Sequence, residues 1–364
     1  MAPEDLSFSP DWAVPPGETL QELLDDLGMS QAELAARLER PKKLVNEIVQ
    51  GKAAITADTA IQLERVLGLK AEFWLNLERG YREALARQRD REALKKEVEW
   101  LRTVPLKPLL DKGWVAKHRD PIDQLRAVLE FFGCASPSAV ETYCGSLQVS
   151  FRKSTRFESD PMATAVWLRR GEILGHEIEC NPFDRAKFRD VLQRIRLLTP
   201  KEPREFYPET QRLCAGCGVA FVIVPEIPGC RANGAARWLS KDKAIIQLSL
   251  RYSWSDIFWF SFFHEAGHIL LHNKKKAVFL DAGYGEDGDE QEANRFAAEQ
   301  LIPSGAWARF LERNAFDLPS VQGFAEEQGI HPGIVVGRLQ HEGVIPHGHR
   351  LNGVKTRFKW ATER

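Results

Sequence analysis

The stretch 259-WFSFFHEAGHILLHNKKK-276 constrains this chain more than any other. Its flanks, FWFSFF and ILL, are too apolar for a surface helix, yet His264, Glu265 and His268 sit among them. Burying such groups without partners is costly, so the fold must supply something that compensates them. Residues four apart on a helix share one face, one turn apart, so His264 and His268 project side by side. Neutral imidazole is a common zinc ligand, and Glu265 lies beside the same site as a base for a metal-activated water. By composition alone such an H-E-x-x-H would arise in roughly one or two chains per hundred of this kind. The competing reading is a hydrogen-bonded pair of core histidines beside a solvated glutamate.

A catalytic zinc takes three protein ligands and keeps one position open. His272 lies on the same stripe, but eight helical residues advance about 12 Å, too far to share an ion with His264. His272 therefore reads as a helix-end or supporting residue. Lys274 stands where a longer three-histidine pattern would need its last member. The next apolar-periodic segment, 289-DEQEANRFAAEQLIP-303, offers Glu290 first and Glu292 in reserve, both in a first turn that favours carboxylates. Asn294, four residues after Glu290, could orient its carboxylate. Glu299 lies too far along and reads as a solvated charge.

HEAGHILLH followed by E-x-E-A-N-R-F-A-A-E-x-L-I-P resembles the ImmA/IrrE family of zinc metallopeptidases, over roughly residues 205–345. The resemblance implies that His264, His268 and a glutamate of the following helix bind Zn2+, with Glu265 as base. Gln300 departs from the family pattern, where an aliphatic residue is usual.

The other end of the chain is punctuated for short helices. LQELLDDLGM ends at Gly28, Ser30 caps SQAELAARL with Glu33 at the capping-box position, and Pro41 opens PKKLVNEIVQG. Thr56 or Asp58 can cap TADTAIQLERVLG, and a fifth helix starts near Ala71. The second and third segments have helix-turn-helix form, with PKKLVNEIVQG as recognition helix. Lys42, Lys43 and Asn46 fall on its outer side, while Leu44, Val45, Ile48 and Val49 fall on its inner side. Asn pairs with adenine edges, and Arg40 and Lys52 flank the helix where backbone phosphates would lie. A plain helical bundle with a solvated face is the alternative. MSQAELAARLERPKKLVNEIVQGKAAITADTAIQLERVLGLKAEFWLNLE resembles the antitoxin-type, HigA-like branch of the XRE helix-turn-helix regulators, over about residues 15–85. That resemblance implies operator binding as a homodimer. Glu39 stands where Gly or a small residue often occurs in such a turn.

Between the two ends, residues 105–200 read as amphipathic helices without a catalytic pattern. Beyond them GVAFVIVPEI, KAIIQLSL and RANGAARWL read as short strands. The late pair FAEEQGIHPGIVVGRLQHEG has helix-turn-helix rhythm but few basic residues, and packing is its expected role. The basic tail is expected to be a soluble terminus anchored by Trp360. A net charge of −1 neither suggests nor excludes nucleic acid. Six cysteines are too sparse for a disulfide framework, and Cys214-Ala-Gly-Cys217 lacks the second pair of a zinc ribbon. The opening MAPEDLSFSP has no signal-peptide core, and no segment is apolar enough to span a membrane, so a cytoplasmic location is expected.

The expectation is an α+β chain in three parts. Residues 1–86 form an all-α helix-turn-helix domain, and 87–204 a helical connector or middle region. Residues 205–364 form a zincin-like metallopeptidase domain with a small sheet and the HExxH helix. Its expected function is a DNA-binding regulator with a zinc endopeptidase that cleaves a repressor or partner protein in a stress, phage or toxin–antitoxin circuit. Two alternatives stand beside it: a non-proteolytic antitoxin or transcription factor whose metal domain is a sensor, and a peptidase whose helix-turn-helix unit binds protein.

Overall fold

The computed structural model describes residues 14–151, 159–272, 279–281 and 288–360. The opening MAPEDLSFSP, Lys274 and residues 282–287 of the Gly- and Asp-rich loop lie outside the described residues. The chain divides into two units, Met1–Glu99 and Trp100–Arg364. The stretch 87–204 is largely helical and contributes to both.

In the first unit α1 (Pro16–Asp26), α2 (Gln31–Arg37), α3 (Lys42–Val49), α4 (Ala57–Leu67) and α5 (Ala71–Lys95) follow the punctuation in the sequence. The Ser30 hydroxyl accepts from the Glu33 amide at 3.1 Å, and Thr56, not Asp58, caps α4 by accepting from Thr59 at 3.3 Å. Leu20, Leu24, Leu34, Val45, Ile48, Leu63 and Trp74 form the core. Glu78 of α5 is buried yet satisfied: it accepts from the Ile55 amide at 3.1 Å and pairs with Arg82 at 2.6 Å. That pins the loop between α3 and α4. The fifth helix runs on unbroken to Lys95, into the stretch expected to be a helical connector.

The second unit opens with α6 (Leu106–Asp111), α7 (Pro121–Phe132), α8 (Pro137–Phe151), α9 (Pro161–Glu177), α10 (Arg185–Arg196) and α11 (Pro203–Ala215). A four-stranded sheet follows: β1 (Val219–Ile223), β2 (Gly234–Ser240), β3 (Lys243–Leu248) and β4 (Phe279–Asp281), in the order β1-β3-β2-β4. β1 runs parallel to β3, and β2 is antiparallel to both β3 and β4. α12 (Ser255–Leu271) precedes β4; α13 (Gly288–Leu301), α14 (Ser304–Glu312), α15 (Leu318–Gln328) and α16 (Pro332–His341) come after it. All three expected strands form, and the fold is α+β. α14 is an addition to the sequence reading.

Alternate residues of a strand face opposite sides of the sheet, and both sides here are covered. Ala244, Ile246 and Leu248 of β3 join the core that contains Phe258, Trp259, Phe262 and Ala266 of α12. On the other side the Gln247 amide donates to the Trp167 carbonyl of α9 at 2.7 Å, and the Trp167 indole donates to the Val224 carbonyl at 3.1 Å. Arg237 of β2 donates to the Leu168 carbonyl and pairs with Glu172 at 3.3 Å, and Tyr143 donates to the same carboxylate at 2.9 Å. So α9 is the second covering layer of the sheet.

α16 packs against α12. The tail ties down the head of α12: the Ser255 amide donates to the Thr356 carbonyl at 2.9 Å, and Lys355 pairs with Asp256 at 2.5 Å. Its apolar anchor is Phe358, buried against Phe206 and Phe258, whereas Trp360 is 47% exposed. Phe358 faces the aromatic core, two residues before the last tryptophan, which is left outside. Cys214 and Cys217 are buried thiols; burial pushes Cys217 up to about 12 and Cys214 well above its ordinary value, so neither is a poised thiolate. No helix among the described residues is long and apolar enough to cross a membrane.

Candidate metal centre and nucleic-acid face

α12 is enclosed on nearly every side, and its polar residues point inward. His264, Glu265 and His268 are all buried. The two imidazoles face each other with Nε2 atoms 3.0 Å apart, as one helical turn dictates. α13 brings Glu290 onto them: its Oε2 lies 3.2 Å from His264 Nε2 and its Oε1 3.4 Å from His268 Nε2. Glu290 therefore converges with the histidines. Glu292, the reserve, instead faces His272 Nε2 at 3.5 Å.

The approach of the two helices is set by small residues. A Cβ at Gly267 would stand 3.1 Å from the Phe296 ring and 3.3 Å from Ala293 Cα, so only glycine fits without the neighbours giving way. Ala293 on the facing side is also fully buried.

The hydrogen-bond partners of the rings determine what these groups can hold. His264 Nδ1 lies 3.0 Å from Asn294 Oδ1, and an amide oxygen there requires the ring nitrogen to donate. The neutral ring then carries its lone pair on Nε2, which faces the Glu290 carboxylate. Burial holds His268 down to about 4, so it is neutral at ordinary pH. Two imidazole nitrogens and a carboxylate, their ligand atoms all within 4.8 Å of one another, form a nitrogen–nitrogen–oxygen donor set that suits a divalent ion. Asn294 thus steadies His264, where the sequence reading gave it Glu290 as partner.

Glu265 projects from the flank of the same turn, toward the start of β2. A Cβ at Gly234 would meet its Oε1 at 2.7 Å and its Cγ at 2.9 Å, so the carboxylate rests where a side chain would otherwise stand. Gly234 was not singled out in the sequence. A glycine inside a short apolar strand is a known sign of close approach, and that signal was present in RANGAARWL.

In the first unit α3 presents Lys42, Lys43 and Asn46 to solvent and buries Val45 and Ile48, while Leu44 and Val49 are half-buried. Lys43 stands 3.8 Å from Glu47, with its side chain 85% exposed. Lys52 is exposed; Arg40 is half-buried and donates to Gln62 of α4 at 3.0 Å. Glu39, in the turn before α3, has φ +53, the left-handed conformation that glycine adopts freely.

Comparison with known proteins finds two family models. A helix-turn-helix model matches residues 20–74, and an IrrE N-terminal-like domain model, from a peptidase family, matches residues 251–338. The chain is 42% identical over 77 residues to virulence-associated protein I of Dichelobacter nodosus, covering 21% of this chain and 71% of that protein. It is 38% identical over 66 residues to the uncharacterized HTH-type transcriptional regulator YddM of Escherichia coli (strain K12), covering 18% and 70% respectively. Among solved structures it is similar to an addiction module antidote protein of the HigA family from Coxiella burnetii: 38% identity, 23% of this chain and 94% of that one, TM-score 0.22.

Proposed function

Because the chain belongs to the helix-turn-helix family through its first unit and carries an IrrE N-terminal-like peptidase domain in its second, we propose a DNA-binding transcriptional regulator with a zinc-dependent endopeptidase. Its substrate would be a repressor or partner protein in a stress, phage or toxin–antitoxin circuit. The division expected from sequence, with 1–86 reading DNA, 87–204 connecting and 205–364 cutting, is proposed as the functional one.

The convergence of His264 Nε2, His268 Nε2 and the Glu290 carboxylate carries this reading. Zn2+ held by those three residues would supply Lewis-acid polarisation of the scissile carbonyl and lower the pKa of water. Glu265 would take the proton of the attacking water on a carboxylate oxygen and deliver it to the leaving amine. Asn294 keeps the His264 ring turned with Nε2 toward Glu290, and Gly234 leaves room for the Glu265 carboxylate to approach. Amide hydrolysis would then proceed without a covalent intermediate.

In the first unit α3 would enter the major groove of operator DNA. Asn46 would read an adenine edge, Lys42 and Lys43 would meet guanine or phosphate, and Lys52 would meet backbone phosphate. Arg40, tied to Gln62, would reach phosphate from a fixed position. The chain would bind as a homodimer.

The test is metal analysis of purified protein, with mass-spectrometric detection of products from candidate substrates encoded nearby. Glu265→Gln should keep zinc and lose about 10²–10⁴-fold in cleavage rate. Cleavage unchanged in that variant would remove Glu265 as base. Operator binding that responds to metal, with no cleavage by either protein, would favour the sensor reading.

A further inference from the structure

His272 caps the end of α12 with an extended backbone, φ −103 and ψ 164, and its amide donates to the His268 carbonyl at 3.2 Å. The ring is almost fully buried, at 5% exposure. Its Nδ1 lies 2.9 Å from His268 Nδ1, and its Nε2 faces Glu292 Oε2 at 3.5 Å and Asp289 Oδ1 at 3.8 Å. Two ring nitrogens at 2.9 Å can share only one proton, so one donates and the other accepts.

Asp289 and Glu292 of α13 both stand on the Nε2 side of His272, and a carboxylate there favours a proton on that nitrogen. An ion on His268 Nε2 would leave that ring's one proton on Nδ1, and His272 Nδ1, 2.9 Å away, is the atom placed to accept it. His268 must then donate from Nδ1, which places its own lone pair on Nε2, facing Glu290 and His264. The competing arrangement puts the His268 proton on Nε2, directed at Glu290, and removes a ligand from the centre.

We infer that His272, facing Asp289 and Glu292, is a positioning residue that selects the zinc-ready tautomer of His268. It does for the second histidine what Asn294 does for the first. Both ligand histidines are thereby oriented from α13 or from the end of α12, and neither supporting group belongs to the donor set. This inference rests on the zinc-centre reading above and adds residues to which that reading assigns no role.

The experiment compares zinc affinity of the full chain by chelator competition for wild type, His272→Leu and His272→Asn, with thermal unfolding of the zinc-free proteins as a folding control. Asn can place an amide oxygen where His272 Nδ1 stands, so it keeps the acceptor and loses the ring. His272→Leu should bind zinc about 10–100-fold more weakly, and His272→Asn should recover most of that loss. The doubly neutral Asp289→Asn, Glu292→Gln protein should fall in between. The nitrogen chemical shifts of His268 in the zinc-free protein should move toward the Nε2-protonated form in His272→Leu and return in His272→Asn. Equal zinc affinity in wild type and His272→Leu would overturn the inference, as would a loss that Asn fails to restore. A wild-type chain that takes up no zinc would instead overturn the metal-centre reading itself.

Discussion

α3 and α12 both bear the polar residues that matter, and they dispose them in opposite ways. α3 buries Val45 and Ile48 and turns Lys42, Lys43 and Asn46 outward. α12 is covered by the sheet, α13 and α16, and turns His264, Glu265 and His268 inward. An outward polar group is satisfied by water whatever its neighbours do, so it is free to be chosen for a partner. An inward one must be matched by the protein itself. Function on α3 is therefore a matter of which side chain, and on α12 a matter of which surroundings.

The sharpest way to break this contrast is to remove one member of an ion pair on each helix. Lys355→Ala leaves Asp256, at the head of α12, buried without its partner, and should destabilise the second unit by about 3–5 kcal/mol in denaturant titration. Lys43→Ala removes an exposed partner of Glu47 and should change stability by less than about 1 kcal/mol. Equal effects would remove the distinction between the two helices. Next in size, Asn46→Ala should leave stability alone but cost about 1–3 kcal/mol in operator binding and relax the preference for one base pair. A uniform loss across sequences would make Asn46 a backbone contact. Smallest is Glu39→Gly, which relieves a left-handed conformation and should stabilise the first unit by about 1 kcal/mol, read as a shifted unfolding midpoint.

The same contrast explains what could be read in advance. The punctuation of the first unit and the i, i+4 spacing of His264 and His268 are local signals, and the structure follows them. Glu290 is preferred over Glu292 in the sequence because Asn294 shares its face; Glu290 does converge on the histidines, but Asn294 meets His264. Which neighbour a side chain meets is not local, and there the reading failed: Asn294 lies on the expected helix but contacts His264. α9 gave an amphipathic pattern without a partner, because the sheet it covers comes some forty residues later and on the far side from α12. Gly234 and Gly267 act by leaving space, and their sequence trace is only the absence of a side chain.

The Gly267–Ala293 contact carries one more consequence. The donor set is split between two helices, so their separation is itself a chemical variable. A methyl group added at that crossing would press on Phe296 and Ala293, not on a ligand atom, and would alter how far the carboxylate stands from the imidazoles. Affinity for the ion, and the choice among ions of different radius, could thus be tuned at a position where no ligand is replaced.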